Sequence, residues 1–218
     1  MKRSLMNQNS KIVYITNSLK SKYGKLETKR GQSIVLESGF REDLFSESLE
    51  RVPNQVVFVG NLLRFGKSRN IEFLIDCFND KKLDEFSLII VGGPMGYVEE
   101  LKGKLAEEQR GNIKFTGRLN QSETSKILLR SEIGILINSK VNRNSLKHTS
   151  PLKYYEYLAA KLKVVAINFE AHKNLPFSDN INFFDSDNKQ QFIDSILNSN
   201  NQVSLNSETI QKYSYKAR

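Results

Sequence analysis

Thr149-Ser150-Pro151-Leu152-Lys153-Tyr154-Tyr155-Glu156-Tyr157-Leu158-Ala159-Ala160, with Val164-Val165-Ala166-Ile167-Asn168 close behind it, is the stretch whose reading decides the fold. Ser150 predicts a helix N-cap, and Pro151 suits the first helical position, where its missing N–H costs nothing. Leu152, Tyr155, Leu158, Ala159 and Leu162 recur at helical spacing and predict one apolar stripe. Glu156 falls on the shoulder of that stripe, near Lys153 and Ala160. A helix start offers free N–H groups to an anion, and a carboxylate one and a half turns further on accepts hydroxyl hydrogen bonds. The same Lys153 and Glu156, three apart, also read as a simple exposed ion pair worth about 0.2–0.5 kcal/mol. Residue types alone leave both readings open.

Outward from this stretch, strands and helices alternate. Val56–Val59 is a continuous apolar strand, the pattern of a sheet covered on both faces. A helix is expected over 71–78, a strand over 87–91, a charged helix from about Tyr97 to Glu108, a strand over 113–116 and a helix near 121–130. Strands are expected again at 133–137, 164–167 and 181–184. This alternation predicts an α/β fold, a doubly wound, Rossmann-like parallel sheet spanning 55–218. Ahead of it, residues 11–16 and 33–36 read as short strands around a helix, Asn17 to Gly24, and 37–45 as an irregular connector.

In such a sheet ligands settle beyond the carboxyl ends of the strands. After the first long strand comes Gly60-Asn61-Leu62-Leu63-Arg64-Phe65-Gly66-Lys67-Ser68-Arg69-Asn70, three cations and two glycines in one loop. It can cradle a diphosphate or simply be a solvated basic loop, and its spacing is not that of a Walker loop. Gly92-Gly93-Pro94-Met95-Gly96 follows the second strand, either a close-approach loop or a tight turn. Gly117-Arg118-Leu119 follows the third; Arg118 can stack on a base or decorate a surface. A polar segment, Asn138 to His148, follows the fourth.

Composition bounds the rest. The 218 residues are 39% hydrophobic and 26% charged, the balance of an ordinary globular chain. Cys77 is the lone cysteine, so no disulfide framework exists; it reads as a plain buried thiol in a cytoplasmic protein. No signal-peptide core follows Met1, and no apolar run approaches a membrane span. With His148 and His172 the only histidines and no carboxylate cluster, no metal site is expected. The net charge is +9, and Lys2, Arg3, Lys11, Lys20, Lys22, Lys25, Lys29 and Arg30 crowd the first thirty residues. Aromatic residues are not interleaved with these charges, which argues against nucleic acid. Peripheral association with the inner face of a membrane is the reading left for this charge.

Ser-Pro-Leu-Lys-x-x-Glu-Tyr-x-Ala-Ala followed by a Val-Val-Ala strand resembles the donor-site motif of the group 1 (retaining, GT-B fold) glycosyltransferases. The resemblance extends over about residues 11–218 and is densest between 56 and 168. Arg69-Asn70-Ile71-Glu72-Phe73-Leu74-Ile75-Asp76-Cys77-Phe78 is similar to the family's Lys-Gly-Ile helix entry, with Asn70 in place of Gly. Asn61 replaces the Arg of the family's Gly-Arg-Leu, which leaves Arg64 or Lys67 to supply that charge. Tyr213-Ser214-Tyr215-Lys216-Ala217-Arg218 resembles the family's carboxyl-terminal Tyr-Ser-Trp-x-x-Arg box. His148 stands eight positions before Glu156, where many members carry a Glu that contacts the donor sugar. It is either a structural histidine or a hydrogen-bond donor to sugar or phosphate.

The resemblance implies that this is the donor-binding half of a transferase. Arg69, Lys153 and the helix start at Ser150, Pro151 and Leu152 would meet the donor diphosphate, and Glu156 would bind the ribose. Gly60, Asn61, Gly92, Gly93, Pro94, Gly117, Arg118 and Leu119 would border the nucleotide. No cofactor is implied beyond the nucleotide diphosphate sugar itself, and the acceptor would be a glycan or lipid-linked glycan in polysaccharide biosynthesis. Residues 1–54 would be a remnant of an amino-terminal acceptor domain and a linker, so a hexosyltransferase of this length is expected to turn over poorly alone. A separate amino-terminal subunit would complete it. The alternatives are a non-catalytic nucleotide-sugar-binding or scaffold module and a GT-B nucleotide-sugar epimerase.

Overall fold

The computed structural model describes residues 11–26, 33–64, 66–105, 111–141 and 143–218. Lys2, Arg3, Lys29 and Arg30 of the basic cluster, and 106–108 of the expected charged helix, lie outside them. The chain begins with β1 (Ile12–Tyr14), α1 (Asn17–Tyr23) and β2 (Ser33–Val35), a two-stranded parallel sheet with its crossover helix. Thr16 caps α1 by accepting from Leu19 N–H at 3.1 Å. Then follow β3 (Gln55–Val59), a hairpin of β4 (Leu63–Arg64) and β5 (Lys67–Ser68), α2 (Ile71–Cys77), β6 (Ser87–Val91), α3 (Met95–Gly103), β7 (Ile113–Gly117) and α4 (Gln121–Arg130). The second half comprises β8 (Ile133–Leu136), α5 (Arg143–Lys147), α6 (Leu152–Ala159), β9 (Lys163–Ile167), α7 (Glu170–Lys173), β10 (Ile181–Phe184), α8 (Lys189–Leu197) and α9 (Ser207–Gln211).

Six of these strands form one parallel sheet in the order β10-β9-β8-β3-β6-β7. The chain winds outward from β3 through β6 and β7, then returns to the other side of β3 with β8. Strand order therefore reverses between β3 and β8, and an open crevice at the carboxyl ends of those two strands is the consequence. Every residue of β3 is buried, as its continuous apolar run predicts for a central strand covered by helices on both faces. Leu74 and Phe192 pack in the core on one face; Leu128, Tyr155 and Leu158 pack on the other.

The helix at the centre of the sequence reading differs in two respects. Ser150 is not its N-cap: the helix starts at Leu152, Pro151 is the last extended residue, and no side chain caps it. Ser150 is committed elsewhere. Its Oγ accepts from Ser38 N–H at 3.2 Å, and its carbonyl accepts from Ser38 Oγ at 3.1 Å, which straps the 37–40 connector to the helix start. The apolar stripe is also wider than expected and shifted. Leu152 is 41% exposed, whereas Tyr154 and Tyr157 are buried along with Tyr155 and Leu158. A single stripe serves a helix lying on a surface, but α6 is covered on several sides, by the sheet and by the carboxyl-terminal Tyr213.

Tyr157 shows what that burial achieves. The pairing of β3 with β8 ends at Phe58 and Ile135, where the crevice begins. The Tyr157 hydroxyl accepts from Val59 N–H and donates to the Ile135 carbonyl, each at 3.2 Å, while its ring lies where a side chain on Gly134 would collide. A Tyr157→Phe variant leaves a buried N–H and a buried carbonyl without partners, a loss of about 1–3 kcal/mol. Denaturant unfolding measures it, and an unchanged midpoint would contradict this assignment.

Candidate functional site

Backbone hydrogen bonds stitch together the tips of three neighbouring strands. Gly60 N–H reaches Val91 O at 2.9 Å, Gly92 N–H reaches Gly117 O at 2.8 Å, and Leu62 N–H reaches Gly93 O at 3.0 Å. A Cβ on Gly92 would lie 1.8 Å from Gly60 O, so this approach requires glycine. Gly92, Gly93 and Pro94 thus fix the loops. Arg118 lies across Gly93, with its Cγ 3.1 Å from where a Cβ would be.

Two adjoining clefts open above this platform. One, of about 280 Å³, occupies the crevice between β3 and β8 and is lined by Arg64, Arg69, Asn138, His172 and the segment Ser150–Lys153. The other, of about 500 Å³, is lined by Phe45, Asn61, Arg118, Leu119, Lys153 and Glu156. Val59, Gly60 and Lys153 belong to both, so they form one continuous trough. The sequence-predicted residues Arg69, Gly60, Pro151, Leu152, Lys153 and Glu156 are brought together in it.

Charge is distributed unevenly along the trough. Arg69 is half-buried; its Nε lies 3.4 Å from Asn138 Oδ1 and its Nη1 3.5 Å from the Asn61 carbonyl. Among the described residues no carboxylate pairs with it. Burial, and then the like charge of Arg64, hold its guanidinium below its ordinary value, so its charge is under-solvated and favours an anion. Arg64 shares the crevice and donates to Ser145 Oγ at 3.2 Å, whereas Lys67 stands exposed on the hairpin. Of the two cations left open by the sequence, Arg64 is the one in the cleft. Lys153 and Glu156 meet at 2.6 Å, the bland ion pair of the sequence reading, but both side chains face the trough.

Other predicted positions serve the scaffold. Asn70 adopts a left-handed conformation at φ 70°, which explains Asn where the family carries Gly: asparagine tolerates that region better than most residues. His148 lies outside both cleft linings, and its Nδ1 meets Ser18 Oγ on α1. Cys77 is buried, and desolvation pushes its thiol up to about 12, as expected of an inert packing residue. Among the described residues no group of three or more His, Cys, Asp or Glu is arranged to hold a metal ion. No helix among them is long and apolar enough to cross a membrane.

His172 was not singled out by the sequence, yet it lines the crevice while only 4% exposed. Its Nδ1 lies 2.8 Å from the Ile167 carbonyl, and its ring stacks on Phe169 at 5.8 Å. A position one turn into a short helix after β9 carries no periodic or motif signal that could have identified it.

Burial first, and the neighbouring Arg69 charge, lower the His172 imidazole to about 4, against an ordinary value of 6.5. Below pH 6.5 the unfolded chain therefore binds a proton that the folded chain refuses until about pH 4, and stability falls as pH drops through that window. Between pH 7 and pH 5 this group alone accounts for a loss of about 2 kcal/mol. Denaturant midpoints of wild type and His172→Phe at the two pH values check it; the variant should lose less by that amount.

The sequence model of the family described as Glycosyl transferases group 1 matches residues 53–199, more than half of the chain. A comparison with curated proteins finds no match. Among solved structures, the chain is similar to WaaG, a glycosyltransferase involved in lipopolysaccharide biosynthesis, with TM-score 0.63, 17% identity, and coverage of 99% of this chain and 61% of that one. It is also similar to sucrose-phosphate synthase from Thermosynechococcus elongatus (TM-score 0.68, 13% identity, 99% and 57% covered). A third is Anabaena HepE, solved in complex with UDP-glucose (TM-score 0.58, 13% identity, 95% and 57% covered). The chain spans less than two thirds of the length of each of these structures. With its six-stranded parallel sheet it matches part of the GT-B fold. The chain belongs to the group 1 glycosyl transferase family.

Proposed function

We propose that the trough is the donor site of a retaining glycosyltransferase, taking a nucleotide diphosphate sugar, and that the chain is the donor-binding half of that enzyme. The observation that carries this reading is the division of the trough. Under-solvated cations and a helix start occupy one end, and a carboxylate beside an open basic side chain occupies the other. A diphosphate lies against Arg69, Arg64 and the amino end of α6, where N–H groups and guanidinium charge stabilise the departing anion without a metal. Lys153 then turns from Glu156 to phosphate, and Glu156 accepts the ribose hydroxyls. The base passes between Arg118 and Leu119, over the platform made by Gly60, Gly93 and Gly117. HepE, solved with UDP-glucose, supports a nucleotide sugar as the ligand class.

The acceptor, a glycan or lipid-linked glycan, is assigned to polypeptide beyond this unit. Val13, Ile15, Ile34 and Leu36 occupy one face of the β1–β2 sheet and are 53%, 43%, 57% and 40% exposed. Parallel sheets are ordinarily covered on both faces, and two strands are too few to stand alone. A further α/β domain or subunit laid on that face would complete a catalytic unit at the cytoplasmic side of a membrane. The chain by itself would bind donor and turn over slowly.

Calorimetry with UDP and GDP tests the reading. Arg69→Ala and Glu156→Ala are each expected to weaken binding of the preferred nucleotide roughly ten- to a hundredfold, the cost of a hydrogen bond to a charged group. Equal affinities, or no heat, for all three proteins would overturn it.

A further inference from the structure

We propose that His172 is a specificity-determining residue of the crevice, its Nε2 accepting a hydrogen bond from a hydroxyl of the donor sugar. The inference rests on the donor-site reading above and adds to it the residue that tells sugar from phosphate. A backbone carbonyl can only accept, so the contact with Ile167 O at 2.8 Å places the imidazole proton on Nδ1. In the neutral ring Nε2 is then a lone-pair acceptor with no proton to give. Burial keeps the ring in that neutral form at physiological pH.

Among the described residues, the bond from Nδ1 is the one hydrogen bond His172 makes, although 96% of the residue is buried, being only 4% exposed. Stacking on Phe169 fixes the plane of the ring. The crevice it lines is otherwise supplied with donors: Arg64, Arg69 and Lys153. The Asn138 Oδ1 acceptor there is already engaged by Arg69 Nε at 3.4 Å and Ser139 N–H at 3.0 Å.

A phosphate oxygen suits the donors but is repelled by the Nε2 lone pair. A hydroxyl suits both, because its proton goes to Nε2 while its oxygen accepts from a cation. An unpaired buried acceptor beside an under-solvated cation thus selects an O–H group, and in a nucleotide sugar the group adjoining the diphosphate is the sugar. A site built to bond a hydroxyl rejects ligands that lack it more strongly than an apolar pocket does.

The test compares each bare nucleotide with its sugar form, UDP against UDP-glucose and GDP against GDP-mannose, by calorimetry on the full chain and on His172→Phe. For the nucleotide that binds, the sugar form's affinity relative to the bare one is expected to fall about fivefold in the variant, the loss of one neutral hydrogen bond. In parallel, imidazole ¹⁵N spectra of the wild-type chain contain two rings, His148 and His172. The His172 Nε2 resonance should move upfield with the sugar form and stay in place with the bare one. This readout decides the matter if the variant does not fold. An unchanged affinity ratio, or an Nε2 resonance that ignores the sugar, overturns the inference while leaving the donor-site reading intact. Failure of wild type to bind any of the four ligands takes down both.

Discussion

Between β3 and β8 the sheet changes direction, and the two strands must part without leaving their last peptide groups unpaired. The Tyr157 hydroxyl closes that fork, taking the Val59 N–H and giving its proton to Ile135 O. Its reach sets the position of α6, since a phenol anchored at the fork holds the helix start over the strand tips. Gly134 provides the room for the ring. The crevice therefore comes from a break in strand pairing that one buried side chain satisfies. Everything that faces the trough from α6, Lys153 and Glu156 included, is aimed by that anchor.

A second constraint is electrostatic. The fold confines Arg64 and Arg69 to one crevice without a neighbouring carboxylate, and burial makes Arg69's charge costly. Such an arrangement costs stability in the empty chain and is relieved by a bound anion. Farther along the trough the opposite holds: Lys153 and Glu156 neutralise one another. Ligand binding at one end competes with that pair and frees the carboxylate at the other. The strapping of the 37–40 connector reinforces the frame, since Ser38 grips Ser150, Gly39 abuts the Tyr213 carbonyl, and Arg218 lies 4.9 Å over the Tyr213 ring.

The alternation of strands and helices, and most element bounds, were legible because buried parallel strands are continuous apolar runs and amphipathic helices keep their period. Loops rich in glycine and cations at strand ends pointed to the correct end of the sheet for the same reason. What escaped depended on tertiary contacts. Ser150 is a good cap by type, but its hydroxyl was already claimed by a connector over a hundred residues away. Tyr154 and Tyr157 fell off the stripe because α6 is enclosed, and His172 carried no pattern at all. The β4–β5 hairpin consists of two-residue strands, too short for any period to register. The bland reading of Lys153 and Glu156 and the functional one proved to be the same geometry.

The central claim is that loops at the tips of β3, β6 and β7 and the start of α6 form one ligand trough. Backbone amide spectra of the full chain titrated with UDP test it most directly. The account predicts that the amides of Gly60, Gly93, Gly117, Arg118 and Lys153 shift together on a single binding curve. Shifts confined to β1–β2 or to α8 and α9, or none at saturating nucleotide, would contradict it.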